Sequence, residues 1–165
     1  MSARPRRRDR GFTIVELVAV IAIVAVLGTF AAPLLLNGAG PLAERGYADE
    51  LASTLRVARS VAVATSCDVQ FSLNSGAYQV MQRAASSGGA SPCLLAGAFV
   101  TPVRRNDGGN NTLSGAAPAN VNVPVDATFT FAGSTGAIAG GVAPPAMTVG
   151  AFTLTVSTDG WMQIQ

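Results

Sequence analysis

The sequence contains no histidine and no lysine, and it has few charged residues of any kind. All 11 basic residues are arginines, there are 9 acidic residues, and charged residues make up 12% of the 165-residue chain. A typical soluble domain has about 25% charged residues. Without histidine, Ser-His and Cys-His catalytic pairs and every His-ligated metal site are excluded. The composition also excludes an ordinary cytosolic surface.

The positive charge is concentrated at the N-terminus. Residues 1–11 contain five arginines and one aspartate, whereas residues 12–165 contain six arginines and eight acidic residues. The formal net charge of +2 therefore comes from a short tail, and the rest of the chain is slightly acidic. A nucleic-acid-binding surface is not indicated by this distribution.

A long uncharged segment follows the basic tail. Residues 17–36 contain no charged side chain and are almost all apolar. As a helix, these 20 residues would span about 30 Å, the thickness of a bilayer core. Positive charge before a first hydrophobic segment keeps that side in the cytoplasm. We therefore predict a single transmembrane helix, with the C-terminal residues across the membrane.

Three other interpretations of this segment compete. A buried core helix of this length would normally have one polar face. A secretory signal peptide is favoured by the basic start and by a small-residue cleavage site at residues 29–31, but the segment is too long and Glu16 lies at its entrance. A plain single-pass anchor explains the length and the charge, but not the residues that precede the segment.

Those preceding residues, 10–16, read RGFTIVE. With the basic leader before them and the apolar segment after them, they resemble the processing signature of type IV pilins and type II secretion pseudopilins. The family pattern is a short basic leader ending in glycine, then phenylalanine, then glutamate at the fifth position of the mature chain, then a long apolar segment. Gly11, Phe12 and Glu16 occupy these three positions.

The resemblance implies a processing mechanism. A membrane aspartyl prepilin peptidase would cut between Gly11 and Phe12 on the cytoplasmic face and would then N-methylate Phe12. Glycine suits the position before the cut because a residue without a Cβ leaves the backbone accessible. Glu16 would pair with the α-amino group of a neighbouring subunit and set the register of the filament. Alternatively, Glu16 is a boundary carboxylate that reaches the lipid headgroups.

Beyond the apolar segment, the pattern predicts one more helical stretch. Residues 37–41 contain two glycines and a proline, so we predict a kink or a melted turn there. Helical periodicity resumes at residues 42–65, and its apolar stripe should pack on a sheet. The stripe consists of Tyr47, Leu51, Leu55, Ala58 and Ala62.

After Cys67 the hydrophobic period changes to two, which predicts strands only. We expect a hairpin over residues 68–82 with its turn at 74–76, and a long exposed loop over Asn106–Asn120. Further strands are expected at residues 94–103, 128–131, 152–156 and 161–165. The predicted fold class is α+β: a long N-terminal helix, transmembrane in its first half and amphipathic in its second, packed on an antiparallel β-sheet or sandwich.

The order of elements resembles the GspH/FimT-type minor pseudopilins. Two weak cues support this branch, a Phe-to-Gly element at residues 131–136 and a closing strand, turn and strand that ends at residue 164. The organisation that follows is a cleaved cytoplasmic leader at 1–11, a transmembrane and assembly helix at 12–36, and two periplasmic parts. These are an amphipathic helix at 37–65 and a β-rich globular domain at 66–165.

Cys67 and Cys93 are the only two cysteines. Both follow the predicted span and would lie in the oxidising periplasm, so we predict a disulfide, with two buried free thiols as the alternative. Residues 107–111 offer oxygen ligands, but such clusters are more often solvated turns than calcium sites. No nucleophile elbow, phosphate-binding loop or dinucleotide fingerprint is present. We therefore expect no enzymatic activity, no cofactor and no metal.

The predicted function is that of a minor pseudopilin, a structural subunit of the type II secretion pseudopilus that supports protein secretion. It would be a single-pass protein of the bacterial inner membrane with its globular domain in the periplasm. Its partners would be other pseudopilins or pilins in the filament, the prepilin peptidase and the inner-membrane assembly platform.

One alternative is a FimT-like minor pilin of a type IV pilus, serving DNA uptake. Nucleic acid is disfavoured as a partner because the chain beyond residue 36 has six arginines and seven acidic residues, and residues 159–163 contain no arginine. A minor pilin that primes a surface pilus without binding DNA is a third possibility.

Overall fold

A computed structural model describes residues 14–86, 93, 96–105 and 111–165, with side chains for all of these except residues 28–39. The chain forms two compact units, residues 1–39 and residues 40–165. One helix, α1 (Ile14–Thr65), is followed in the described residues by eight strands. The strands are β1 (Val69–Asn74), β2 (Ala77–Arg83), β3 (Phe99–Pro102), β4 (Ser114–Ala116), β5 (Ala127–Phe131), β6 (Met147–Val149), β7 (Phe152–Val156) and β8 (Met162–Ile164).

The helix continues through residues 37–41 without interruption, so the melted turn predicted there is wrong, while the kink, the other predicted outcome, stays a prediction. A glycine inside a helix costs about 1 kcal/mol and a proline about 3 kcal/mol relative to alanine. Extending a helix that already exists needs no new nucleus, and nucleation is the costly step of helix formation. Strong helical sequence on both sides therefore outweighs the local breakers.

All strand pairs in the described residues are antiparallel, which confirms the predicted α+β class. The larger sheet has the order β3-β2-β1-β5, with β4 also paired to β2, and a second sheet has the order β6-β7-β8. In the central strand, Phe71 lies opposite Val80 on one side and Phe129 on the other.

The β1–β2 hairpin forms as predicted, with a tight turn at Ser75 and Gly76. Both residues have positive φ angles, 49° and 78°, as a type I′ turn requires. The backbone N–H of Ser75 donates to the Asp126 carboxylate at 2.7 Å, which ties the turn to the start of β5. The turn therefore fixes the register of the central strand pair.

The predicted apolar stripe of the helix is confirmed as its buried face. Its five residues, at positions 47 to 62, are at most 2% exposed. They share one core with the inward residues of both sheets, including Phe71, Phe131, Met147 and Leu154. Burying each large aliphatic or aromatic side chain contributes about 1.5–3 kcal/mol, so this face holds the helix on the sheets.

Two parts of the β-region differ from the prediction. Asn106–Asn120 is not one exposed loop, because Leu113 is buried and β4 pairs with β2. Gly115 makes this pairing possible, since a Cβ there would lie 2.7 Å from the Tyr78 ring. Of the strand predicted at residues 94–103, the described residues form β3, Phe99–Pro102. Residues 94 and 95 lie outside the described residues. Strand β6 was not predicted at all.

Two buried tyrosines fasten the helix to the hairpin. The Tyr78 hydroxyl donates to Glu50 Oε1 at 2.6 Å, and the Tyr47 hydroxyl donates to the Gly76 carbonyl. Burial, and then the hydrogen bond to Glu50, raises the pKa of Tyr78. Burial, and then the neighbouring Tyr78 and Glu50, raises the pKa of Tyr47. Folding therefore favours the protonated form of both phenols.

This arrangement predicts a loss of stability at alkaline pH. A tyrosine whose pKa is raised by folding contributes stability that is fully present below the unfolded pKa of about 10 and is lost as the pH rises beyond it. The free energy of unfolding should fall above about pH 10, and it should fall less steeply in the Tyr47→Phe and Tyr78→Phe variants. Tyr78→Phe should also cost about 1 kcal/mol at pH 7 through its lost hydrogen bond.

The measurement is urea unfolding of the full chain in non-ionic detergent, followed by the fluorescence of Trp161, the only tryptophan. The double variant Tyr47→Phe/Tyr78→Phe removes both tyrosines of the sequence. An alkaline slope as steep in the double variant as in the wild type would contradict the assignment.

Candidate functional site

The described N-terminal part of α1 is apolar on every side. Its large apolar side chains are 46–82% exposed. They are Ile14, Val15, Leu17, Val18, Val20, Ile21, Ile23, Val24, Val26 and Leu27. A helix that is hydrophobic all round requires burial, either in lipid or among other helices. This exposed apolar surface is the first candidate site.

Glu16 is the acidic residue in the first turn of this helix. A carboxylate there complements the positive end of the helix dipole, and the residue is exposed. Gly11, Phe12 and the rest of the leader lie outside the described residues, so their predicted roles stay predictions. Within the described residues, no helix combines the length and the hydropathy that a membrane span needs.

Arg59 joins the helix to the last hairpin of the globular unit. Its Nε donates to the Gly136 carbonyl at 3.0 Å, and its Nη2 donates to the Asp159 carbonyl at 3.3 Å. Its guanidinium carbon lies 4.9 Å from the centre of the Trp161 ring. Arg59 therefore contacts both segments that carry the two weak sequence cues, residues 131–136 and the closing hairpin.

Two glycines allow Arg59 to contact both segments. Gly136 and Gly160 have φ angles of 71° and 79°, a region that side chains rarely adopt. A Cβ at Gly160 would also collide with the Gly136 carbonyl and with Arg59, and a Cβ at Gly136 would collide with Val63 and lie tightly against Arg59. Sequence reasoning missed Arg59 because an arginine on a helix is more often solvated. Gly136 and Gly160 were the sequence features that could have indicated a close contact here.

Glu44 makes the corresponding contact near the other end of the buried helical face. Its Oε2 accepts from the Ala151 N–H at 3.2 Å, and its carboxylate fills the space beside Gly150, whose φ is 55°. The β6–β7 turn is thereby held on the helix. Glu44 and Arg59 each fix one turn of the smaller sheet to the helix.

The structure contains the predicted disulfide between Cys67 and Cys93, and both cysteines are buried. Their Cα atoms are 5.7 Å apart, within the usual range for a bridge. Beside it, the Asp68 carboxylate accepts from Arg83 Nε at 2.9 Å and from the Gly133 N–H at 2.9 Å. The bridge and this ion pair together hold the segment that follows the helix.

Metal ligands are not grouped in the part of the chain that the structure describes. No three cysteine or acidic side chains there are close enough to hold an ion. Asp107 of the oxygen-rich segment 107–111 lies outside the described residues.

Comparison with known proteins gives two matches, one in sequence and one in fold. Residues 6–32 match the model of the prokaryotic N-terminal methylation motif. The structure resembles two crystal structures of the type IV minor pilin FimU from Pseudomonas aeruginosa strain PAO1, each with a TM-score of 0.50 over 73% of this chain. These cover 91% and 87% of the FimU chains at 16% and 18% identity. No curated protein sequence matches this one.

The disulfide should contribute measurably to stability. Closing a loop with a sequence separation of 26 stabilises by about 3–4 kcal/mol in the chain-entropy model. The Cys67→Ala/Cys93→Ala variant should lose about that much in urea unfolding of the full chain at pH 7. Wild-type protein unfolded with a reductant present should match the variant. Equal stability of oxidised wild type and variant would show that the bridge is energetically neutral.

Proposed function

We propose that this type IV pilin-like protein is a minor structural subunit of a filament, made as a precursor and anchored in the inner membrane. The observation that supports this most is the methylation motif at residues 6–32, which runs into a helix exposed on all sides. An α+β globular unit with the fold of a minor pilin follows the helix. A protein with these parts acts by assembly and needs no catalytic site.

In the proposed mechanism, the peptidase removes residues 1–11 and methylates Phe12, which keeps its positive charge. The apolar helix then remains in the bilayer until it packs against the helices of other subunits. Glu16, near the new N-terminus, pairs with the α-amino group of a neighbour. In a low-dielectric surrounding an unpaired carboxylate is costly, so the pair selects one register among many apolar packings.

Of the two possible machines, we propose the type II secretion pseudopilus as the first candidate. The chain beyond the leader is slightly acidic, and residues 159–165 contain no arginine, which suits protein contacts better than nucleic acid. The second candidate is a minor pilin of a type IV pilus, which the fold likeness to FimU favours. In both, the disulfide and the globular unit would face the periplasm.

Replacing Gly11 by leucine should leave an uncut precursor, because the added side chain blocks access to the peptide bond. The measurement is intact mass and N-terminal analysis of membrane-extracted protein, without reduction. Wild type should begin at N-methylated Phe12. The matched control is Ala3→Leu, which adds an apolar side chain earlier in the leader and should be cut normally. Normal cutting of the Gly11→Leu chain would contradict the proposed function.

Replacing Glu16 by alanine should leave processing unchanged and reduce incorporation into filaments at least about tenfold, since the pairing carboxylate is lost. Incorporation is measured in sheared filaments from a deletion strain that carries the variant. The conservative Glu16→Asp variant serves as the control. It keeps a carboxylate and should therefore retain part of the wild-type incorporation. Whichever activity fails, secretion or surface piliation, identifies the machine. Unchanged incorporation would reduce Glu16 to a boundary residue.

A further inference from the structure

A groove of about 500 Å³ lies on the globular unit, between α1 and the closing hairpin. Arg56, Arg59 and Val63 line it from the helix, and Trp161 and Met162 line it from the hairpin. None of the contacts described above fills it, and the assembly helix of residues 14–27 contributes nothing to its walls.

One wall of the groove is apolar. Trp161 is 66% exposed and Val63 is 47% exposed, although both are large apolar residues. Exposed tryptophans in concave sites are frequent anchors of protein interfaces because they bury a large area at a small entropic cost. An aliphatic or aromatic side chain placed between these two residues would remove both from water.

The other wall is cationic, and contacts within the protein hold Arg59 in place. Arg59 is held by two backbone carbonyls and by the Trp161 ring, and it keeps further N–H donors for a ligand. Arg56 is exposed and, among the described residues, has no hydrogen bond or ion pair. A carboxylate is absent from the described residues that line the groove.

The globular unit does not supply the missing negative charge from its own described carboxylates. Most of them are engaged elsewhere, and Asp159 offers Arg59 its backbone carbonyl. The engaged pairs are Glu44 with Ala151, Asp49 with Arg45, Glu50 with Tyr78, Asp68 with Arg83 and Asp126 with Ser75. None of these five contacts places a carboxylate against Arg56 or Arg59.

We propose that this groove binds an acidic peptide segment with a central aliphatic or aromatic side chain, presented by a different subunit of the filament. The carboxylates would meet Arg56 and Arg59, and the apolar side chain would lie between Val63 and Trp161. Two arginines and one aromatic ring are few for tracking a nucleic-acid backbone, which uses a longer cationic path and several stacking platforms. The inference rests on the proposed function only for the identity of the chain that presents the segment.

The single tryptophan makes the groove directly observable, because all tryptophan fluorescence comes from Trp161. The full chain in non-ionic detergent is titrated with the acetylated and amidated peptide DELFD, and in parallel with the uncharged analogue NQLFN. We expect a saturable change of fluorescence with DELFD only, and weaker binding as the salt concentration rises to about 0.5 M.

Two variants of helix residues distinguish binding in the groove from a general effect of positive charge on the helix. Arg56→Gln should weaken binding about fivefold or more, because a charge-assisted contact is lost. Arg45→Gln removes an equal charge from the same helix at an exposed position outside the groove, and it should leave binding unchanged. Because Arg56 makes no hydrogen bond or ion pair with the described residues, its variant should fold normally, and its unfolding curve checks this.

Three results would overturn the proposal. The first is no saturable response to DELFD up to about 5 mM, and the second is an equal response to NQLFN. The third is tighter binding of a short oligothymidylate than of DELFD, which would assign the groove to nucleic acid. None of these results bears on cutting at Gly11 or on incorporation through Glu16, so failure here is distinguishable from failure of the proposed function.

Discussion

The apolar surface of residues 14–27 is the constraint on which the protein depends. Ten large apolar side chains are exposed there, and burying each one contributes about 1.5–3 kcal/mol. An exposed apolar surface of this extent is unfavourable in water and favours burial against another apolar surface. A surface of this kind is satisfied by burial in lipid or against other helices.

Residues 42–65 of the same helix differ from residues 14–27 because only one of their faces is apolar. The bulk of the stabilisation there comes from the buried stripe against the two sheets. The polar contacts of Glu44, Glu50 and Arg59 each add about 1 kcal/mol or somewhat more. Their larger effect is on position, because each one fixes a different turn or strand to the helix.

The parts of the fold that were predictable are those with local signals. The stripe from Tyr47 to Ala62 and the hairpin around Ser75 follow from periodicity and turn chemistry over a few residues. The strands β4 and β6 have three residues each, too few for a period of two to show. The contacts of Arg59 were out of reach because their partners lie 77 and 100 residues away. The N-terminal methylation motif, which matches residues 6–32, was recognisable because it is one continuous segment of the sequence.

Arg59 links the stability of the globular unit to what the unit can bind. Its Nε and Nη2 hold the closing hairpin, and the face of the same guanidinium supports Trp161 in the groove. A change at this position would therefore loosen the hairpin and disorder the groove together. Arg56, in contrast, makes no hydrogen bond or ion pair with the described residues, so its replacement should cost the fold little.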